Sequence, residues 1–342
     1  FMVLFNNGPE FLMNKDVIPF IWNKIVIPVT TIVPVGSIFL SLIISYGLME
    51  FVGVFMRPVM KPIWKTPGRS AIDAVASFVG SYSLALLITN RVYKEGKYTT
   101  KEAIIIATGF STVSATFMVI VAKTLDLMDS WNLYFWLTVI VTFLVTAITA
   151  RIYPIRNKSD AYFENQEGDI EKDIPKDKFK VAFNEGMEVC ANSGTILENV
   201  IINLKDGVML AFNIGPSLMA IGTLGIVLAN HTPIFDWIGY LVYPFTLISG
   251  FEEPLLTAKA LALGIAEMFL PAVLVTKLSF EVKMLVAITC VSEVLFFSAS
   301  IPCMMATDIP ISFKDYLIIW FERVVLSILV SIPLIYLVKV LI

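Results

Sequence analysis

Polar residues are sparse along this chain, and the stretches between them are long enough to cross a lipid bilayer. A hydrocarbon layer of ~30 Å takes about 20 apolar residues in helical form. Clear runs of that kind are Ile25–Gly47, Ala103–Leu125, Trp131–Tyr153 and Leu317–Leu341. A fifth, Gly207–Ala229, is interrupted by Asn213 and Pro216, and a sixth, Met284–Met305, carries Ser292, Glu293 and Ser298. Two further runs, Ser70–Arg91 and Pro254–Lys277, are broken near their middles at Gly80 and Gly264. The stretch Ile155–Glu185 is different: dense in Asp, Glu, Lys and Asn, it has no apolar period and reads as a solvated linker. It divides the chain into a first part, 1–154, and a second, 186–342. Met187–Leu204 is amphipathic and is expected to lie along the membrane interface.

The two parts share an order of elements. Phe51-Val52-Gly53-Val54-Phe55-Met56-Arg57-Pro58 is similar to Trp237-Ile238-Gly239-Tyr240-Leu241-Val242-Tyr243-Pro244. Each is followed by a broken apolar segment, a short polar turn, a helix with hydroxyls at its centre and a plain apolar helix. A repeated plan of this kind recurs in secondary transporters.

Charge decides whether the broken segments cross. Arg57, Lys61, Lys65 and Arg69 precede the first, and Arg91, Lys94, Lys97 and Lys101 follow it. Short loops rich in Lys and Arg stay cytoplasmic, so a crossing would put one cluster on the wrong face. Two half-helices of about ten residues reach about 15 Å each, half the hydrocarbon thickness. The first segment therefore reads as a re-entrant hairpin over about 70–92, turning at Gly80-Ser81. The second reads as a hairpin over about 254–277, entering from the opposite face. The expected fold is an all-α polytopic membrane protein with inverted repeats, each holding a re-entrant hairpin and a broken transmembrane helix. The linker would then lie in the cytoplasm of a protein of the inner cell membrane.

Composition supports lipid as the solvent. The 342 residues are 57% hydrophobic and 15% charged, with a mean hydropathy of +0.80, whereas a soluble domain carries roughly a quarter charged residues. A net charge of −3 gives no electrostatic footprint for nucleic acid. Cys190, Cys290 and Cys303 form no CxxC pair and read as apolar packing residues, and His231 is the single histidine, so zinc chemistry and His-based catalysis have no support. No nucleophile–base pair or HExxH motif marks an enzyme. The opening residues Phe1-Met2-Val3-Leu4-Phe5 read like the tail of an apolar segment.

Non-helical backbone at membrane depth survives only against protein or a wet cavity, so two hairpin tips imply such a cavity where the repeats meet. Ser81, Tyr82 and Ser83 from the first tip are expected to line it, with Ser111, Thr112 and Ser114 from the helix that follows. The second part supplies Glu267, Ser292, Glu293 and Ser298; Asp73 and Asn90 lie on the arms of the first hairpin as further candidates. An ionisable residue at such depth costs about 2.5 kcal/mol or more on insertion scales and is a functional hypothesis by default. Glu322-Arg323 is expected to form structural pairs near a helix end. With no Lys or Arg expected at the centre, the two glutamates favour a cationic or polyhydroxylated ligand.

Phe110-Ser111-Thr112-Val113-Ser114-Ala115-Thr116-Phe117-Met118 and Glu267-Met268-Phe269-Leu270-Pro271 resemble the YjiH-type membrane proteins, as do Thr66–Tyr98 and Thr232–Tyr243. These proteins bear the nucleoside-recognition Gate domain, and the resemblance runs from about Ile25 to the C-terminus. The domain is similar to the core of the concentrative nucleoside transporters, which implies hairpins and broken helices that bind nucleoside and a coupling ion. Where those transporters carry Gly-Gln-Thr-Glu at the first tip, this chain has Gly80-Ser81-Tyr82-Ser83; Glu267 and Ser292-Glu293 occupy comparable places in the second part. The expected function is a secondary transporter moving a small polar, cationic organic solute, such as a basic amino acid or amine, by alternating access. A nucleoside is the alternative solute, and a non-transporting assembly or signalling protein is the alternative class. No cofactor is expected; H+ or Na+ is the candidate coupling ion, through Glu267 or Glu293, and a homo-oligomer is compatible with the sequence.

Overall fold

The computed structural model describes residues 8–14, 17–44, 46–79, 81–169, 171 and 177–341. The apolar start 1–5 and the glycine of the first hairpin turn, Gly80, lie outside the described residues. Among those described, the secondary structure is helical, apart from an isolated bridge between Thr99 and Tyr162.

The first part contains α1 (Ile27–Ile44), α2 (Leu48–Trp64), α3 (Ala71–Val79), α4 (Tyr82–Lys94), α5 (Thr100–Gly109), α6 (Ala115–Thr124) and α7 (Trp131–Thr149). After α8 (Lys178–Asn192), the second part contains α9 (Ile196–His231), α10 (Ile234–Ile248), α11 (Pro254–Leu263), α12 (Leu270–Leu274), α13 (Phe280–Ser292), α14 (Ser300–Met305) and α15 (Phe313–Leu341). The same sequence of long helix, amphipathic helix, helical hairpin, broken helix and long helix therefore occurs twice.

Local chemistry fixes these boundaries. Thr99 and Thr195 start α5 and α9 with capping boxes, each hydroxyl on the third-residue amide and Glu102 or Glu198 reaching back. Ser81 and Ser114 cap α4 and α6. Three sequence-level boundaries move. The run Ala103–Leu125 is two short helices, α5 and α6, separated at 110–114, where hydroxyls compete for backbone groups. The run Gly207–Ala229 is instead part of one unbroken helix through Pro216. The amphipathic stretch 187–204 is split between α8 and α9, and α8 begins at Lys178, inside the stretch read as linker.

Helix α7 shows what the surface is built for. Tyr134, Thr138, Val141, Thr142, Val145 and Thr149 are buried on one side. Trp136, Ile140, Leu144 and Ile148, at four-residue spacing, are exposed on the other. An apolar stripe of that length facing outward belongs against lipid. Among the described residues, Met128–Thr149 and Phe313–Val338 are long and apolar enough to span a bilayer.

Each hairpin brings its two outer ends together. In the first, Thr89 donates to Asp73 across the arms (2.6 Å), and Tyr98 donates to the same carboxylate (2.7 Å). Both ends then meet one short stretch of linker: Gly68 and Arg69 bond to Glu171, while the Asp169 amide donates to the Gly96 carbonyl (2.9 Å). In the second, Glu252, just before α11, accepts from the Ser279 amide beyond α12. In both parts an amphipathic helix lies hard against the hairpin through a glycine. A Cβ on Gly53 would sit 3.0 Å from the Arg69 nitrogen, and one on Gly239 3.0 Å from the Lys259 Cα.

Candidate functional site

The second hairpin turns at Gly264–Phe269, and the helix after it comes apart between Ser292 and Ser300. These two unwound stretches satisfy each other. The Phe297 amide donates to the Ile265 carbonyl (2.6 Å) and the Ser298 amide to the Ala266 carbonyl (2.9 Å). Buried backbone groups released from a helix need such partners. Val294, in the middle of the break, has φ +60°. A β-branched residue in the left-handed region is strained, and strain of this kind persists only where the surroundings enforce it.

Two carboxylates sit at this junction. Glu267 is 6% exposed and accepts from the Phe269 amide (3.4 Å) and the Ser298 hydroxyl (3.5 Å). Glu293 is fully buried and accepts from the Trp320 indole (3.1 Å). Its carboxylate lies directly over Gly264, where a Cβ would come within 2.4 Å of Oε2. The glycine is thus required for the close approach of the hairpin tip to Glu293, and not for its φ, which is −55°. The two glutamates are near enough to interact electrostatically.

The expectation that no basic side chain shares this centre is overturned. Arg323 is not near a helix end: it lies ten residues into α15, about 15 Å along its axis. Among the described residues it is the largest fully buried side chain. It donates to the Ser292 carbonyl (2.7 Å) and to the Thr146 hydroxyl (3.1 Å), and it lies within Coulombic range of Glu293. The cation thus holds the C-terminal end of α13, where carbonyls have no helical partner. Among the described residues Glu293 Oε1 and Arg323 Nη2 have no hydrogen-bond partner. A buried polar atom without a partner costs free energy, so these two atoms are candidates for hydrogen bonds to a ligand.

The other sequence-derived candidates divide by location. Ser292 and Ser298 are in the cluster, Ser292 through the Ser327 hydroxyl (2.7 Å) and Ser298 through Glu267. Thr112, at the break in the first part, donates to the Val291 carbonyl (3.2 Å) and so joins the two breaks. Tyr82 sets its ring edge-on to Phe296 (5.9 Å) and is within electrostatic range of Glu267. Ser81 and Ser83 share a hydroxyl contact at the first tip (3.0 Å), and Ser81 also caps α4. Ser114 caps α6, and the Ser111 hydroxyl lies 3.5 Å from the Ile106 carbonyl. Asp73 and Asn90 stand eight and nine residues from Ser81, about 12 Å away along the arms. Asp73 ties the arms together, and Asn90 accepts from the Asp308 amide (2.9 Å).

Trp320, Arg323 and Ser327, missed as site residues, form one face of α15. The signal was present. A lone arginine inside an apolar helix meets the same insertion-cost test that selected the glutamates.

Residues 26–128 match the family model of the Gate domain, described as nucleoside recognition. The chain is 32% identical over 330 residues to the uncharacterized protein BpOF4_10220 of Alkalihalophilus pseudofirmus, covering 95% of this chain and 71% of that one. Solved structures of CNTnw, in an inward-facing substrate-bound state and in an outward-facing state, align over 97% of this chain and 82% of theirs. Their identity is 13% and their TM-score 0.45. The extensive relationship to the Alkalihalophilus protein places this chain in that protein's family, and this chain itself is a Gate-domain helical membrane protein by its match at 26–128 and its lipid-facing architecture.

Proposed function

We propose that this protein is a secondary transporter that binds a small polar organic solute where the second hairpin tip meets the broken helix α13–α14. The observation that carries the reading is the junction itself. Two unwound backbones and two carboxylates are buried together, Glu293 and Arg323 each keep a polar atom unpaired, and Val294 is strained beside them. An immobile scaffold has no use for that expense. A solute offering both hydrogen-bond donors and acceptors would satisfy Glu293 Oε1 and Arg323 Nη2 at once.

That requirement changes the preferred solute. A basic amino acid or amine was favoured because no cation shared the centre, and Arg323 removes that premise. A nucleoside, with ribose hydroxyls for the carboxylates and base acceptors for the guanidinium, fits the mixed polarity better and agrees with the description of the Gate domain. Transport would proceed by alternating access, with hairpins entering from opposite faces and the linker in the cytoplasm beside the basic ends of the first hairpin.

The test is thermal stabilisation of the purified protein by a panel of nucleosides, basic amino acids and amines, followed by uptake into proteoliposomes. Nucleosides should raise the melting temperature of wild type. Glu293→Gln and Glu267→Gln should lose that shift while remaining folded. Stabilisation by amines alone would restore the cationic reading, and stabilisation by none of them would favour an assembly role.

A further inference from the structure

A polar cavity of about 530 Å³ opens at the base of the first hairpin, lined by residues that include Arg57, Arg69, Arg91, Lys97, Glu50 and Glu185. On its wall one linker carboxylate is held as a bound anion would be. Glu171 Oε2 accepts from the Gly68 amide (2.8 Å), and Oε1 accepts from the Arg69 amide (3.1 Å) and from Arg69 Nε (3.3 Å). Arg57 Nε lies 3.4 Å from Oε2. Two successive main-chain amides and two guanidinium groups therefore converge on one carboxylate, and the side chains of Arg57 and Arg69 are each only 4% exposed. Consecutive amides with arginine forks are the geometry by which proteins hold free oxyanions.

Sequence makes this convergence possible at one residue. A Cβ on Gly68 would sit 2.1 Å from the Gly53 carbonyl oxygen and 2.6 Å from the Arg57 nitrogen. Only glycine lets the Pro67-Gly68-Arg69 turn press onto α2, which brings Arg57 and Arg69 to the same point. Both arginines carry further acidic partners, Glu185 on Arg57 (2.5 Å) and Asp169 on Arg69 (2.9 Å).

We propose that the Gly68-Arg69 turn and Arg57 form an oxyanion cradle, and that Glu171 occupies it as an internal ligand, latching the linker between the two parts onto the base of the first hairpin. The occupant comes from the chain itself, and the site takes the carboxylate for its charge and its two coplanar oxygens. A tetrahedral oxyanion of similar size presents the same acceptors. With Glu171 removed, two buried guanidinium groups and two amides are left without that anion, and free phosphate should take its place.

The experiment uses the full chain in detergent. In Glu171→Ala, protease cleavage of the linker should rise at least tenfold and hydrogen exchange across 68–79 should increase. Inorganic phosphate should restore the exchange protection of 68–79 in Glu171→Ala and leave wild type unchanged. In the double variant Glu171→Ala, Arg69→Gln, phosphate should restore nothing. Should Glu171→Ala fail to fold, Glu171→Gln keeps the shape and loses the charge; it should show at least a threefold rise in linker cleavage, and phosphate should restore the exchange protection of 68–79 while leaving that cleavage raised. Cleavage and exchange equal to wild type would overturn the latch. Exchange across 68–79 that phosphate does not restore in Glu171→Ala would overturn the cradle, because a merely structural contact has no use for a free anion.

Discussion

Gly264→Ala is the most discriminating single substitution in the buried junction. The residue has αR dihedrals, φ −55° and ψ −34°, so alanine is welcome on backbone grounds. All of the cost is steric and falls on one neighbour: the new Cβ would lie 2.4 Å and 2.6 Å from the two Glu293 carboxylate oxygens. To regain ordinary contact the carboxylate must retreat by about 1 Å, which stretches its 3.1 Å bond from Trp320 past useful length. Overpacking costs ~1–3 kcal/mol and a lost buried bond ~1–3 kcal/mol, so a destabilisation of about 2–6 kcal/mol is expected. Denaturation of the purified protein measures it without any knowledge of the solute. In the Glu293→Ala background the clash is gone, and Gly264→Ala should be neutral or stabilising by ~0.5–1 kcal/mol. Equal effects in the two backgrounds would refute the placement of Glu293 over the hairpin tip.

Other expectations follow from the same contacts. Arg323→Met strands the Ser292 carbonyl and should cost about 1–3 kcal/mol, with Arg323→Lys intermediate because an ammonium cannot reproduce the fork; denaturation midpoints should fall in that order. Burial alone would raise the Asp169 carboxyl, but the Arg69 guanidinium outweighs this by charge and hydrogen bond, and with Lys97 and Arg57 holds it below its ordinary range. A depressed carboxylate stabilises the folded contact above its unfolded pKa of ~3.9 and loses that contribution as pH falls through the folded value. A spin label at Asn165→Cys should therefore report an unchanged linker from about pH 8 to 5 and a looser one only below about pH 4; loosening near pH 6 would contradict the pairing. Cysteines placed at Lys61 and at Lys97 should label from the same face of a sealed vesicle, and labelling from opposite faces would mean that the first segment crosses the membrane.

Much of the architecture was legible because lipid imposes simple rules. Run length marked the long helices, and the breaks at Gly80 and Gly264 marked two helical hairpins, whose re-entry into the membrane is read from flanking charge alone. The broken helix at 110–114 announced itself only through Ser111, Thr112 and Ser114, since its apolar run looked continuous. Pro216 misled in the other direction: a proline that reads as an interruption is carried inside α9 because a long helix packed against neighbours tolerates one missing bond. At the candidate site, Glu267, Ser292, Glu293 and Ser298, which the structure brings together, were legible as costly polar groups in apolar runs. Arg323 was not credited, because sequence distance from a helix end depends on where the helix starts. Phe313, not Leu317, is that start. Glu171 was invisible for a different reason: its partners Gly68 and Arg69 are about a hundred residues away, and acidic residues in a linker ordinarily face water.

Arg323 also bears on how the junction would move in the proposed transport cycle. In the alternating access proposed above, the second hairpin tip would separate from 294–299, and the direct backbone ties given up would be the Phe297–Ile265 and Ser298–Ala266 bonds. Each is worth only ~0.5–1.5 kcal/mol net, because water or solute can replace it. The α13 side of the break is held by the Arg323–Ser292 bond, which is charge-assisted and stronger. The tip is therefore the weaker partner, and α13, α15 and Thr146 of α7 form the fixed side. Motion should appear as greater hydrogen exchange at 264–269 than at 287–293, and the reverse ordering would assign the moving role to the broken helix instead.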